Sequence, residues 1–401
     1  MPKIQNLDDA AAMIKDAQQN KHRLEVRGLG TKTALGNQPN YNDCLDTSAM
    51  QGIIDYQPEE LVLTVRAGTE LSVIEAELEK ANQMLPFEPA DLSGILASKS
   101  AGTIGGVLAT NLSGPRRLTA GAARDFLLGF NAVSGRGERF KSGGRVMKNV
   151  TGYDLSKLIC GSYGTLAVID EVNIKTLPRP ETSLSLLYGC DDMTAAVSHI
   201  AAIFASPHEP GAAAILPQSI AAIAGADIAA AMIVVIRLEG IAASVEDRAA
   251  HLRHMGQHSV GRILGTLSQV ESTALWARIR DVDLLAHASE AIWKLSCAPA
   301  TAPAIVATME KSFETAFFAD WAGGLLWFAG PSGVEFGTAL RAVLKAHGGG
   351  HAQLLCDHAR SKNRVPVFQP LPPAQASLTK RVKAAFDPLG VLNFGRMHHG
   401  M

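Results

Sequence analysis

The sequence predicts an α+β protein of two domains, on three observations. At 401 residues it is longer than one average domain. Through the second half, short apolar strands alternate with helices and long apolar runs are few. That is the pattern of an antiparallel sheet covered by helices on one face. Between the halves, Pro178 and Pro180 punctuate the chain. The expected division is residues 1–180, residues 181–365, and a linker with a closing segment, 366–401, that returns to the first domain.

Each element follows from local pattern. Residues 7–20 read as a helix with Leu7, Ala11 and Ile14 on one stripe, and Arg23 to Val26 as a short strand entering the Gly28–Gly30 turn. Leu61 to Arg66 alternates like a half-buried strand, and Glu70 to Asn82 is helical with Leu71, Ile74 and Leu78 aligned. After Pro86 and Pro89 the chain is irregular as far as Gly102. Strands at Phe126 to Val133 and Leu166 to Ile174 flank a polar Gly/Arg stretch at 135–145. Strands are then expected at Ser183 to Leu187, Met232 to Leu238 and Gly324 to Phe328. Helices are expected at Met193 to Ala205, Val245 to His254, Gly337 to Ala346 and Ser377 to Phe386. The four prolines within 366–373 read as a linker, and Met397-His398-His399 as a loose tail.

Composition excludes several classes. Apolar residues at 47% with 19% charged describe an ordinary core-forming chain. A net charge of −1 argues against nucleic acid and against polybasic attachment to lipid. The five cysteines (Cys44, Cys160, Cys190, Cys297, Cys356) include no Cys-x-x-Cys, so neither a disulfide framework nor a four-thiolate iron–sulfur site is spelled out. Residues 1–20 carry Asp8, Asp9, Lys15 and Asp16 and do not read as a signal peptide. The apolar stretch Ile220 to Ile236 contains Gly225 and Asp227, and Asp is costly at a bilayer centre. It reads as a short helix, a turn and a strand, with no direct membrane insertion. The expected location is the cytoplasm.

Two glycine-rich places stand out. Gly28-Leu29-Gly30-Thr31-Lys32-Thr33 follows a strand. It lacks the third glycine of a dinucleotide motif, and Gly36, Asn37 and Pro39 prevent the helix that motif needs next. From spacing alone it is a plain glycine turn. Gly102, Gly105 and Gly106 open a small-residue segment that ends at Asn111 and Gly114; such a segment permits close backbone approach to an anionic ligand, or a close helix–helix contact. Thr103 sits at that helix start, where the dipole favours phosphate. Gly161, Ser162 and Gly164 form a third tight turn before an apolar strand.

Taken in order, these features resemble the flavin-binding domain of the vanillyl-alcohol oxidase and p-cresol methylhydroxylase family. The set comprises Arg27-Gly28-x-Gly30-Thr31, Val65 to Gly68, Thr103 to Gly106, Asn111 with Ser113 and Gly114, Arg124-Asp125, Thr151 to Leu155, and Gly161 to Leu166. Within that family the chain is similar to FAD-binding subunits of glycolate oxidase complexes. That similarity continues more loosely through Arg237 to Gly240, Leu275-Trp276 with Arg280-Asp281, Trp293 to Ser296, Gly323 to Trp327, Gly349 to Leu355, Phe386 to Pro388, Asn393 and Gly395-Arg396.

The resemblance implies a two-domain fold of the p-cresol methylhydroxylase type with FAD as cofactor. It places the cofactor on Arg27, Gly28, Leu29, Gly30, Thr31, Gly102, Thr103, Gly105, Gly106, Asn111, Ser113, Gly114 and Ile169, the last by backbone groups near the adenine end. Many relatives carry a histidine where Thr31 stands, as a covalent attachment point; its absence implies non-covalent FAD. No metal is expected. His251, His254 and His258 share a helical face, but Gly256 interrupts it and no carboxylate completes a set. Arg116 and Arg117 read as solvated surface charges, and Arg124-Asp125 as a structural ion pair.

Oxidising a 2-hydroxy acid needs a cation for the carboxylate and a base for the hydroxyl proton. The Gly-Asp-Gly-Asn-x-His and Glu-x-x-His-Gly elements of related hydroxy-acid flavoenzymes are missing. Gly348-Gly349-Gly350-His351-Ala352 stands where the first is expected but lacks its acid and amide, and His351 reads rather as a loop-to-strand residue. Lys148 and Tyr153 are further flavin-side candidates, and catalytic residues are otherwise unassigned. The resemblance therefore implies oxidation of glycolate to glyoxylate together with a homologous FAD-containing subunit and an iron–sulfur subunit, which would bring the chain to the inner face of the membrane. A self-sufficient 2-hydroxy-acid oxidase and a flavin-free assembly subunit are the alternatives.

Overall fold

A computed structural model describes residues 3–145, 152–223, 229–255, 261–286, 291–357 and 365–401. Lys148, Thr151, the 225–227 turn, Gly256 and His258 lie outside the described residues. The chain divides into two compact units. One contains residues 1–113, 121–179 and 370–401; the other contains 114–120 and 180–369.

The first unit is built on a five-stranded antiparallel sheet in the order Ile53–Gln57, Val62–Arg66, Ala167–Lys175, Leu127–Ser134, Arg139–Gly143. The polar 135–145 stretch is thus partly an edge strand, the place where alternating polar residues are tolerated. A separate parallel pair joins Leu24–Arg27 to Asp43–Asp46. The helix Leu7–Asn20 starts where Asn6 accepts hydrogen bonds from the Asp8 and Asp9 N–H groups. It buries Leu7, Ala10, Ile14 and Ala17 against Leu24, Leu45, Val133, Val168, Val391 and Leu392. The last two come from the chain's end. The helix Pro373–Phe386 delivers that segment, and Lys383 secures it within the unit. Its ammonium donates to Asp387 Oδ2 and Thr165 O at 2.6 Å and to Leu392 O at 2.9 Å.

In the second unit the large antiparallel sheet expected from the sequence is present, with eight strands. The order is Arg262–Leu267, Thr182–Cys190, Met232–Gly240, Ala212–Pro217, Ala316–Asp320, Leu325–Gly330, Ala291–Ser296, His351–Asp357. On one face, Tyr188, Ile215, Val234, Trp293, Phe317, Phe328 and Leu354 form a core with residues of Met193–Phe204, Ala242–Met255, Ala302–Ser312 and Val334–Ala346. No described helix is long and apolar enough to cross a membrane.

Three expectations are corrected. The proline-rich stretch is not a free linker along its whole length. Val365 and Val367 are buried in the second unit's core, and Val367 O accepts from Leu354 N–H at 2.8 Å, so the chain leaves that unit only beyond Gln369. The terminal segment is not loose: Asn37 donates from Nδ2 to Gly395 O and Met397 O at 3.0 and 3.2 Å. Arg116 and Arg117 are not simply solvated surface charges. Arg116 pairs with Glu239 at 2.5 Å with both side chains largely buried, and the Arg117 guanidinium lies 4.3 Å from the Trp321 ring centre. In each case the partner is remote in sequence, so local composition carried no sign of it.

Candidate functional site

The parallel strand pair ends at Arg27, and the next residues turn sharply because glycine permits it. Gly30 has φ +76°, and a Cβ on Gly28 would lie 2.9 Å from Thr103 Oγ1. Thr33 N–H and Thr33 Oγ1 both bond Gly30 O, at 3.2 and 2.9 Å, which closes the turn. From behind, the buried Arg396 guanidinium donates to Lys32 O and Thr33 O at 3.2 and 2.8 Å. With those carbonyls held, the backbone N–H groups of residues 29–32 make no hydrogen bond to any described residue. Successive free N–H groups in a tight turn form an anion-binding concavity.

The helix Ile104–Thr110 forms the opposite wall, and its glycines have different jobs. A Cβ on Gly105 would sit 2.8 Å from Ala67 O, and one on Gly68 would strike Thr47 O; both glycines let backbones meet. Gly102 has φ +87°, and a Cβ there would strike Thr31 Oγ1. Gly106 differs: its Cβ would meet only Lys32 Cδ and Thr103 Oγ1, both at 3.5 Å. The donors of this helix start are already used. Ile104 N–H bonds Thr69 O, Gly105 N–H bonds Ala67 O, and Gly106 N–H bonds Thr103 Oγ1 at 3.2 Å. The first three N–H groups inside this helix are therefore spent, whereas those of the 29–32 loop are not.

Two adjoining clefts, with about 450 and 520 Å³ of empty space, lie between these walls. Arg27, Gly28, Thr103 and Gly106 line both. Leu29, Gly30, Thr31 and Lys32 line the first, and Gly105 and Ile169 the second. Among the described residues, neither cleft is lined by histidine or cysteine. Of the residues expected at the site, Gly102, Asn111, Ser113 and Gly114 do not line either cleft. Asn111 is the left-handed cap of the helix, and its Oδ1 accepts from Arg124 N–H at 3.2 Å and Cys160 Sγ at 3.4 Å. Ser113 Oγ accepts from Ala123 N–H at 3.0 Å, and Gly114 O accepts from Trp321 Nε1 at 3.1 Å. Arg124 and Asp125 make no ion pair with each other; Asp125 instead caps its own short helix through Ala122 N–H at 2.9 Å.

Three residues were not among the expected site residues. Lys32 reaches Ala101 O at 2.5 Å, and burial lowers its pKa to about 8 despite the opposing charge of Asp91. Asn393 is buried with φ 41°. It accepts from Val26 N–H at 2.8 Å and donates to Val26 O and Tyr163 O at 3.3 and 2.7 Å, tying the strand before the loop to the Gly161–Gly164 turn. Arg396 is the third. The sequence signal for the last two was only their place in the closing Asn-x-Gly-Arg, and for Lys32 a cation inside a glycine turn. His351 lies exposed at the edge of the eight-stranded sheet, paired with Ser296. Tyr153 is 90% exposed.

A glycine turn with free N–H groups, a half-buried lysine beside it and two adjoining clefts suit an extended anionic cofactor. Comparison with known proteins agrees. Residues 3–143 match the family model described as FAD binding domain. The chain is 35% identical to glycolate oxidase subunit GlcE of Escherichia coli (strain K12), over 98% of this chain and 99% of that protein. It is 31% identical to glycolate oxidase subunit GlcD of Bacillus subtilis (strain 168), over 54% of this chain and 47% of that one. A solved structure of p-cresol methylhydroxylase shares the fold, with TM-score 0.68 and 14% identity over 98% of this chain and 88% of that one. The matched family model and these relatives define an FAD-binding oxidoreductase. The chain belongs to the family of glycolate oxidase subunits.

Proposed function

We propose that this chain is an FAD-carrying subunit of a complex that oxidises glycolate to glyoxylate. It would work with a homologous flavin subunit and pass electrons to an iron–sulfur subunit. The observation that carries the reading is end-to-end similarity to a glycolate oxidase subunit in a chain whose 29–32 loop offers unused N–H donors. Bound FAD supplies the hydride acceptor. The N–H groups of residues 29–32 and the Lys32 ammonium would hold its pyrophosphate. Gly28 and Gly106 keep the walls low enough to admit it, and Ile169 with Ala167 lines the second cleft. Non-covalent attachment is part of the proposal because Thr31 stands where relatives carry the attaching histidine; among the described residues no histidine or cysteine lines either cleft. Thr31 and Tyr163, which do line the site, are held as a turn residue and as a turn bonded to Ala109 O. The complex would sit in the cytoplasm and reach the membrane only through its partners.

His351, in the segment that stands where the first missing second-domain element is expected, is exposed on an edge strand. We therefore assign the main proton-abstracting site to the homologous flavin subunit. The test is stopped-flow reduction of flavin in the chain purified alone. The expected result is a yellow protein whose flavin is released by acid and is bleached by glycolate far more slowly than in the complex. Rapid bleaching would instead make this chain a complete oxidase.

A further inference from the structure

We propose that Lys294, with Arg117 and the indoles of Trp321 and Trp327, forms a subsite for a small carboxylate on the second unit's sheet. The strand Ala291–Ser296 sends Trp293 and Leu295 into the helix-covered core, so Lys294, by alternation, belongs to the other face. Register places it beside Trp327 on one neighbouring strand and Gln353 on the other; one step along, Ser296 lies beside His351. The Lys294 ammonium is 5.2 Å from the Trp321 ring centre and 5.7 Å from that of Trp327, and among the described residues nothing accepts a hydrogen bond from it. The Trp321 ring also carries the Arg117 guanidinium, at 4.3 Å.

Aromatic faces stabilise a cation but use none of its N–H donors. The Trp327 indole N–H, beside the same ammonium, is buried with no hydrogen-bond partner among the described residues, whereas the Trp321 indole N–H is taken by Gly114 O. Beside these two donors lie the Arg117 guanidinium and the Asp320 carboxylate, whose Oδ1 accepts from Trp321 N–H. Burial, with Arg117 adding repulsion and Asp320 opposing it, lowers the Lys294 pKa to about 8. A bound anion would satisfy the donors and remove that repulsion. A carboxylate fits because it accepts from two or three donors in one plane. The subsite rests on the proposed function for its substrate class, a small 2-hydroxy acid, and gives this chain a hold on substrate without a base to activate it.

The experiment is calorimetric titration of the full chain with glycolate and with its non-oxidisable analogue oxalate, alongside flavin content and thermal midpoint. Wild type should bind, and Lys294→Met should bind at least about tenfold more weakly, the loss expected for one hydrogen bond to a charged group. Its flavin content should be unchanged. Its midpoint should hold or rise, because methionine removes a desolvated charge. Arg117→Gln should weaken binding in the same direction and carries the test if the methionine variant does not fold. Absence of anion binding in wild type would overturn the proposal. So would a Lys294→Met protein of lower midpoint and unchanged affinity, which would make the lysine a packing element. A chain purified without flavin that still binds oxalate through Lys294 would refute the flavin reading and leave the subsite standing.

Discussion

Replacing Asn393 with alanine tests whether the cofactor loops depend on the end of the chain. The side chain makes three hydrogen bonds, to Val26 N–H, Val26 O and Tyr163 O, and is 1% exposed. Truncation leaves the Val26 donor and the Tyr163 acceptor in space that water reaches poorly. An unsatisfied buried group of this kind costs about 1–3 kcal/mol. Residue 393 also has φ 41°, and alanine in the left-handed region adds roughly 1 kcal/mol. The expected loss is therefore about 2–4 kcal/mol, which lowers the midpoint of a domain this size by roughly 5–15 °C. Because Val26 leads directly into the 28–32 turn, flavin retention should fall as well. The assay is a thermal melt followed through flavin fluorescence and far-ultraviolet circular dichroism, with the 450/280 nm absorbance ratio for cofactor content. Asn393→Gly separates the two contributions: it should recover the strain, about 1 kcal/mol, but not the hydrogen bonds. If alanine shifts the midpoint by under about 1 °C and flavin content is unchanged, the clamp does not support the site.

Two further outcomes concern the cleft. Gly106→Val should purify folded, with a midpoint near wild type, yet without flavin, because its added Cβ meets protein only at 3.5 Å and the remaining methyl groups occupy cleft space; full flavin would move the cofactor elsewhere. Lys32 should make cofactor binding and stability respond oppositely to pH. Its folded pKa, about 8, lies below the ordinary 10.5, so the flavin-free chain carries the burial penalty in full below pH 8 and loses it as pH rises toward 10. The apo midpoint should therefore gain in that window. FAD affinity should fall there, as the cation facing the pyrophosphate is neutralised. Both responses should disappear in Lys32→Gln, measured by melts and by fluorescence titration.

The legible part of this protein is the part written in short range. The Leu7–Asn20 helix, the central strands of the first unit and the glycine turn at 28–30 all announce themselves by periodicity or by residues that only one backbone geometry accepts. Strands such as Asp43–Asp46 and Ile53–Gln57 escaped notice because they are short and half-polar. Ala212–Pro217, an alanine-rich central strand, is made a strand by its neighbours and not by propensity. The site divides in the same way. Glycines were readable, but their roles were not: Gly105 serves a helix–strand contact, Gly106 borders the cleft, and the helix start that looked suited to phosphate spends its donors on Ala67, Thr69 and Thr103.

What holds the carbonyls of Lys32 and Thr33 is a guanidinium more than 360 positions away, and the same closing segment supplies the amide that joins that loop's strand to the Gly161–Gly164 turn. A loop of free N–H groups is costly to hold open without its anion. On the proposed reading, anchoring its carbonyls from behind would keep the donors available before the cofactor arrives, and the C-terminal return would act as the scaffold of the cofactor loop. Any truncation that removes residues beyond Leu392 should cost the chain its flavin before it costs the fold of the second unit, whose core contains no residue from that segment.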